Sequence, residues 1–577
     1  MKNIWIPAVL MPLAFGLPLS CSQVKSDSFT KEAPDSPNVV ETFGLSAMPT
    51  YDQIVGVKKA FTKNMPWSDT YWPYTAQGLA RRWAYFTRPS GLVNLSQFWQ
   101  DQLDNTQGRS VSPYLSPAEK YDLMFRLRYG KDVDTHKLKS EIKDLASKER
   151  AIKHAGDRDA KRQAIGDLQT AFDSSNTIQN WSPMASAGWD TFLDYTKNPS
   201  FKFFNEADSG ADWSWMGICH GWSPAALMHE TPKHSVMVKL DGKEILVTEG
   251  DVRGLLSKSW ADHSPDDNQY FLGRRCNENV DKPDGDIPHG LDGRGVTGMF
   301  ILNGNSQTFT MVDEFLPGAA FSGRRIYEIS LGDDTATIYL IEKAEGSKSS
   351  YFLSSDLGQV RSYVESGDTS AFTPLSGTKF YGCWDVNPAS FHTILTEHLG
   401  KTGQSFVMDR TRTGQVWNQP VYGANMDVGP LLDAATVNDH QFRHRAAGTT
   451  YLAQVKTSVF WSSEPSEPAM SYGNDFDRSQ LARSDYQYTL EFDADKRLIG
   501  GEWGTFEPNR ADMVIPDFLY SFKAGSRPVD DIKGGFDYSG IIDPIYKCSI
   551  AAGPTKSTRV GGSVLDYVDC DLTKANP

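Results

Sequence analysis

One stretch of this chain combines a thiol, glycines and a helix start: Trp213-Ser214-Trp215-Met216-Gly217-Ile218-Cys219-His220-Gly221-Trp222-Ser223-Pro224-Ala225-Ala226-Leu227-Met228. The spacing predicts a helix beginning near Cys219. Ser223-Pro224 offers a rival start as N-cap and first helical residue. Either start leaves Cys219 at or just ahead of the helix N-terminus. A thiol there feels the positive end of the helix dipole, which favours the nucleophilic thiolate. Amides of the first turn can donate to an oxyanion, so one location serves both needs of acyl transfer.

A base is also expected. His392 lies in the β-prone run Pro388–Thr396, Gly400-Lys401-Thr402-Gly403 makes a turn, and Gln404–Asp409 returns. A hairpin of that register places Asp409 opposite His392, roughly 5 Å away between β-carbons. A carboxylate there fixes the imidazole tautomer and stabilises the imidazolium. The other histidines fit less well. His220 points about 100° away from Cys219 on a helix, and His229 lies about 15 Å further along it. His398 falls close to the proposed turn, where exposure is the default. His440 and His444 have helical ligand spacing, but no Glu follows His440 to complete a zinc-protease motif.

Six cysteines are present: Cys21, Cys219, Cys276, Cys383, Cys548 and Cys570. Setting aside Cys21 and Cys219 leaves four, an even number. Cys548 with Cys570 is the expected short bridge, which leaves Cys276 with Cys383 and Cys219 as the unbridged thiol.

The elements that must position these residues follow from the rest of the 577-residue chain. Trp, Tyr and Pro crowd Met48–Tyr85 and suggest extended segments at the edge of a core. Ser116-Pro117-Ala118-Glu119 is a helix start, with an N-cap Ser, Pro at the first position and Glu at the third. Residues 137–172 carry mixed charge and read as a long exposed helix or helical pair. Beyond about residue 295 short β-like runs dominate, among them Thr335–Ile341, Phe406–Met408, Tyr488–Phe492 and Arg497–Trp503. The expected class is α+β, with a helical N-terminal half and a β-rich C-terminal half. Residues 48–435 are taken as a catalytic core and 436–577 as the β-rich region that completes it.

Residues 1–20 read as a signal peptide and 21–47 as a tether. Leu17-Pro18-Leu19-Ser20-Cys21 resembles a lipoprotein signal in which Cys21 is acylated; ordinary secretion with cleavage near Ser20 is the alternative. The expected location is exported, as an outer-membrane or periplasmic lipoprotein or a secreted protein. Lys and Arg number 58 against 72 Asp and Glu, for a net charge of −14. That balance argues against a nucleic-acid partner, which needs a basic face. A mean hydropathy of −0.45 excludes a polytopic membrane protein.

Val416-Trp417-Asn418-Gln419-Pro420-Val421 resembles the elicitor peptide of the oomycete transglutaminase elicitors. Pro66–Pro73, Ser116–Met124, Trp215–Trp222, Phe271–Asn277, Cys383–Thr393 and Gly500–Trp503 resemble bacterial members of that family. The resemblance covers most of the chain after residue 48 and implies a papain/transglutaminase-like core. It implies a Cys-His-Asp acyl transferase joining a glutamine carboxamide to a primary amine. By motif, Cys219 is the nucleophile, His392 the base and Asp409 the orienting acid. The implied partners are proteins bearing glutamine and lysine, or small amines. No organic cofactor is implied. Calcium is, and Asp281, Asp284, Asp286 and Asp292 form an acidic loop whose spacing is not that of an EF-hand. Two other functions compete: a secreted cysteine hydrolase (peptidase or glutamine deamidase) with the same triad, and a non-catalytic surface-binding lipoprotein.

Overall fold

The computed structural model describes residues 39–83, 94–131, 133–197, 215–265, 268–273, 279–280, 297–314, 324–331, 338–345, 348–381, 386–410, 416–437, 446, 448–465, 467–503, 516, 518–553 and 555–573. Residues 1–38, where the signal peptide is expected, with Cys21, and Cys276, Cys383, Trp213, His440, His444 and the Asp281–Asp292 loop lie outside them. No helix among the described residues is long and apolar enough to cross a membrane.

The fold is α+β. Helices fill much of the chain up to His263, and strands dominate from Gln269 onward. Local sequence explains the helix starts. Ser116 Oγ accepts from the Glu119 amide at 3.2 Å, and Glu119 returns the bond to the Ser116 amide at 2.9 Å. Pro117 is the first helical residue of Pro117–Tyr129. The charge-dense segment is a helical pair, Thr135–His154 and Arg158–Asp173, capped by Asp134 and Asp157. Its exposure is one-sided. Leu138, Ile142, Leu145 and Ile152 meet Ile165, Leu168 and Phe172 on a buried stripe at helical spacing.

Three sheets complete the molecule. The largest is antiparallel, in the order 498–503, 481–492, 451–462, 418–428, 407–409, 518–522, 269–273. Lys59–Phe61 adds to the 418–428 strand, so the aromatic-rich start of the chain is built into this sheet. Strands on both sides of residue 435 share it. A second sheet runs from 279 to 381, and its strand 348–354 pairs with both 338–345 and 373–381, closing it on itself. Alternation gives it two faces. Tyr327 and Leu340 pack on one, while Ile326 and Ile341 pack on the other with Val360 and Tyr363 of helix Leu357–Ser366. In the third sheet the terminal strand Ser563–Asp571 pairs in parallel with Ser235–Leu240, bringing the chain end back to the helical layer.

A Cys548–Cys570 disulfide ties helix Asp543–Ile550 to that terminal strand, as expected. Closing a loop of this length contributes about 3 kcal/mol in the chain-entropy model. Reduction should lower the thermal midpoint accordingly; scanning calorimetry with and without reductant checks this, and an unchanged midpoint would contradict it.

Candidate active site

Cys219 is the first residue of helix Cys219–Met228, and Ile218 at the N-cap supplies no side-chain cap. The rival start at Ser223-Pro224 is not used; Pro224 sits inside the helix. Two glycines allow the close approaches that hold it. A β-carbon on Gly217 would lie 2.1 Å from Tyr71 O, and one on Gly221 would lie 2.0 Å from Ser257 O. Gly217 therefore lets the turn press against the Tyr71-Trp72 segment, where Ile218 N–H donates to Tyr71 O at 2.7 Å. Gly221 lets the helix pack backbone to backbone on helix Glu249–His263.

Cys219 is buried and outside any disulfide. Asn418 Nδ2 donates to its sulfur at 3.4 Å, and the sulfur faces Val416 O at 3.5 Å. Ser223 Oγ donates to Cys219 O at 2.9 Å and to Asn418 O at 2.6 Å, clamping helix and strand together. The Cys-His-Gly-Trp stretch and the Val-Trp-Asn-Gln-Pro stretch thus form one site across 199 residues of chain. The helix dipole and the Asn418 amide both favour negative charge at this position.

Asp409 stands in the same site, opposite Asn418 rather than His392. Directly opposed residues share a face of the ladder, so its carboxylate lies on the Asn418 side. Its Oδ1 accepts from the Trp417 amide at 3.0 Å, which fixes the wall presenting Asn418.

The expected hairpin of His392 with Asp409 does not form. Pro388–Thr393 is α-helical, with Asn387 as N-cap and Pro388 at the first position, and a π-helix continues through Ile394–Thr402. The Asn-Pro start outweighed the β-prone composition that followed. His392 Nδ1 pairs with Tyr488 Oη at 2.7 Å, while Nε2 is buried with no hydrogen-bond partner. Tyr488 Oη also meets Thr457 Oγ1, and Thr457 pairs with Met426, eight residues along the strand from Asn418. Cys219 and Asp409 both contact the Val416–Asn418 segment, and Phe391 beside His392 packs on Tyr486 at 5.3 Å, whose Oη lies 4.0 Å from Met408 Sδ next to Asp409.

The other expectations divide. His398 is buried, with Nε2 3.3 Å from Ser405 O and from Ser521 Oγ, because the π-helix carries it into the core instead of a turn. His229 Nε2 accepts from Trp260 Nε1 at 2.9 Å. Trp222 Nε1 donates to Trp67 O at 3.1 Å. Sequence reasoning missed the roles of Asn418 and Tyr71. The elicitor-like motif was the available signal for Asn418, but nothing in it said which other segment it touches.

Burial pushes His392 down to about 3, and His229 and His398 to about 4. Unfolded imidazoles titrate near 6.5. The unfolded chain therefore takes up protons first as pH falls. This contribution to stability is complete above about pH 6.5 and is lost on the way down to those folded values. Asp69 and Asp122, raised by burial to about 7 and about 6, act in the opposite sense. The difference between wild type and His392→Gln isolates one imidazole. Urea unfolding between pH 6.5 and 4 should show a stability slope shallower by about 1.4 kcal/mol per pH unit in the variant; parallel profiles would contradict it.

The fold and site define an α+β protein with a helix-terminal thiol set against a strand. Residues 379–549 match the family model described as transglutaminase elicitor. That segment includes His392, Asp409 and the Val416–Val421 wall, and begins after Cys219. Among solved structures the chain is similar to the GP42 transglutaminase from Phytophthora sojae, at 18% identity and a TM-score of 0.43, over 89% of this chain and 96% of that one. A comparison with curated proteins finds no match.

Proposed function

We propose that this protein is a protein-glutamine γ-glutamyltransferase working through a thioester on Cys219. The observation that carries the reading is the contact of the helix-terminal thiol with Asn418 inside the elicitor-like segment. The sulfur attacks the glutamine carboxamide carbon, and the proton it sheds leaves with ammonia. A primary amine then attacks the thioester, the C–S bond breaks, and the amine's proton restores the thiol. Asn418 Nδ2 and the helix start stabilise the oxyanion. Asp409 positions the Asn418 wall. His392 is the base assigned from sequence, its Nδ1 held by Tyr488 Oη at 2.7 Å. The substrates are proteins bearing glutamine and lysine, or small amines.

Among the described residues no group of three or more His, Cys, Asp or Glu side chains is placed to hold a metal ion, and the Asp281–Asp292 loop lies outside those residues. Export with an anchor at Cys21 belongs to the same proposal, and the Cys548–Cys570 bridge suits an oxidising compartment.

Incubating the protein with a glutamine peptide and a fluorescent amine tests the reaction. Covalent incorporation with ammonia release is expected, whereas release of the free acid with no incorporation would favour the hydrolase. Asn418→Ala should lower kcat by about a hundredfold, the loss of one oxyanion donor. The thermal midpoint should stay close to wild type. An unaltered kcat in a folded variant would remove Asn418 from the site.

A further inference from the structure

A left-handed backbone is costly for a bulky side chain and persists only where the surroundings enforce it. Trp72 has a φ of +49°. It stands beside the carbonyl that meets the start of the Cys219 helix. Tyr71 O accepts from Ile218 N–H at 2.7 Å, and Tyr74 N–H donates to Met216 O at 2.9 Å. These two bonds bracket Gly217, where a β-carbon would lie 2.1 Å from Tyr71 O and 3.0 Å from Trp72 O. Ile218 gives the helix no side-chain cap. The backbone of the 71–74 segment therefore does the work of a cap and sets where the helix begins.

Trp72 is held through its side chain. Its Nε1 donates to Asp69 Oδ2 at 2.8 Å. Its ring meets Trp83 edge-on at 6.2 Å and lies against Gly254, where a β-carbon would come within 2.6 Å of Trp72 Cζ2. Asp69 is fully buried, and its Oδ1 accepts from Thr70 N–H at 2.9 Å and from the Tyr472 hydroxyl at 3.0 Å. Tyr472 lies under Arg253 at 4.0 Å, and Arg253 pairs with Glu249 and Asp477. Burying a carboxylate is expensive, and two of its three bonds here fix its own segment.

We propose that Asp69 is a positioning residue for the Cys219 thiol: it locks the strained Trp72 and thereby fixes the 71–74 segment on which the first turn of the Cys219 helix is built. The proposal rests on the acyl-transfer reading above and adds to it a residue remote from the sulfur. Two hydrogen bonds and the short main-chain stretches between them join the carboxylate to the thiol, from Asp69 to the Trp72 indole and from Tyr71 O to Ile218 N–H. The sulfur and the first-turn amides ride on the same backbone. Releasing Trp72 shifts both relative to Asn418, which stands on a separate strand.

The test uses the full-length protein at pH 8, above the value of about 7 to which burial raises Asp69. Asp69→Asn keeps the shape and removes the charge. Trp72→Phe keeps an aromatic ring and removes the N–H, and it carries the test if Asp69→Asn does not fold. Each should lower kcat for amine incorporation about tenfold with KM nearly unchanged, the mark of misplaced reacting groups. The double variant should lose little more than the larger single loss, because both act through one bond. Alkylation of the Cys219 peptide by iodoacetamide, followed against pH by mass spectrometry, needs no turnover. Its midpoint should rise by about 0.5–1 pH unit in either variant as the sulfur loses its alignment with the helix start. A lowered thermal midpoint with wild-type kcat and wild-type alkylation would make Asp69 merely structural, overturning the proposal while leaving the reaction standing. A raised KM at unchanged kcat would overturn it as well. A raised alkylation midpoint in the variants of a protein whose wild type transfers nothing would keep the positioning role and overturn the reaction.

Discussion

Replacing Cys219 by serine is expected to lower amine incorporation by about 10⁴- to 10⁶-fold, the usual consequence of removing a covalent nucleophile. The fold should persist. Cys219 takes part in no disulfide, and its neighbours hold the helix by main-chain and hydroxyl bonds that serine leaves in place. The thermal midpoint should therefore shift little while activity disappears. Steady-state incorporation paired with calorimetry makes the check. A folded Cys219→Ser protein with wild-type turnover would leave the surface-binding lipoprotein as the better account.

The largest expected loss of stability lies behind the site. Lys120 Nζ pairs with Asp251 Oδ2 at 2.6 Å, and neither side chain is exposed. Asp251 also accepts from Trp83 Nε1 at 2.8 Å and caps its own helix through Thr248 N–H and Oγ–H. That helix, Glu249–His263, is the one on which Gly221 of the Cys219 helix rests. Lys120→Met would leave the Asp251 carboxylate buried without its cation. Removing one partner of such a pair costs about 3–5 kcal/mol, although replacing both by apolar residues can cost nothing. Urea denaturation of Lys120→Met should show a loss of that size, and activity should fall at temperatures where wild type is unaffected. A loss under 1 kcal/mol would mean that water or a neighbouring cation compensates Asp251.

Local signals in the sequence were read well where the chemistry is local. The Ser116 capping box, the paired helices over 137–172, the helix starting at Cys219 and the Cys548–Cys570 bridge each depend on residues close in the chain. The hairpin of His392 with Asp409 does not form because helix capping outweighs strand propensity there. Asn387-Pro388 starts a helix more strongly than Phe391, Thr393 and Ile394 favour a strand. His398 was then carried into the core by the same helix. Asn418 was legible as part of a motif but not as a neighbour of Cys219, because a contact across 199 residues is set by sheet order rather than by local pattern. The buried Lys120–Asp251 pair is likewise long-range, and charge counting assigns such residues to the surface.

The most direct test of the central claim is mass spectrometry of the protein quenched during turnover with a glutamine peptide and no added amine. The account predicts an acyl adduct on the peptide containing Cys219, equal to the donor mass less ammonia, that is removed by cadaverine or hydroxylamine. Turnover with no adduct at Cys219, or an adduct on another residue, would contradict it.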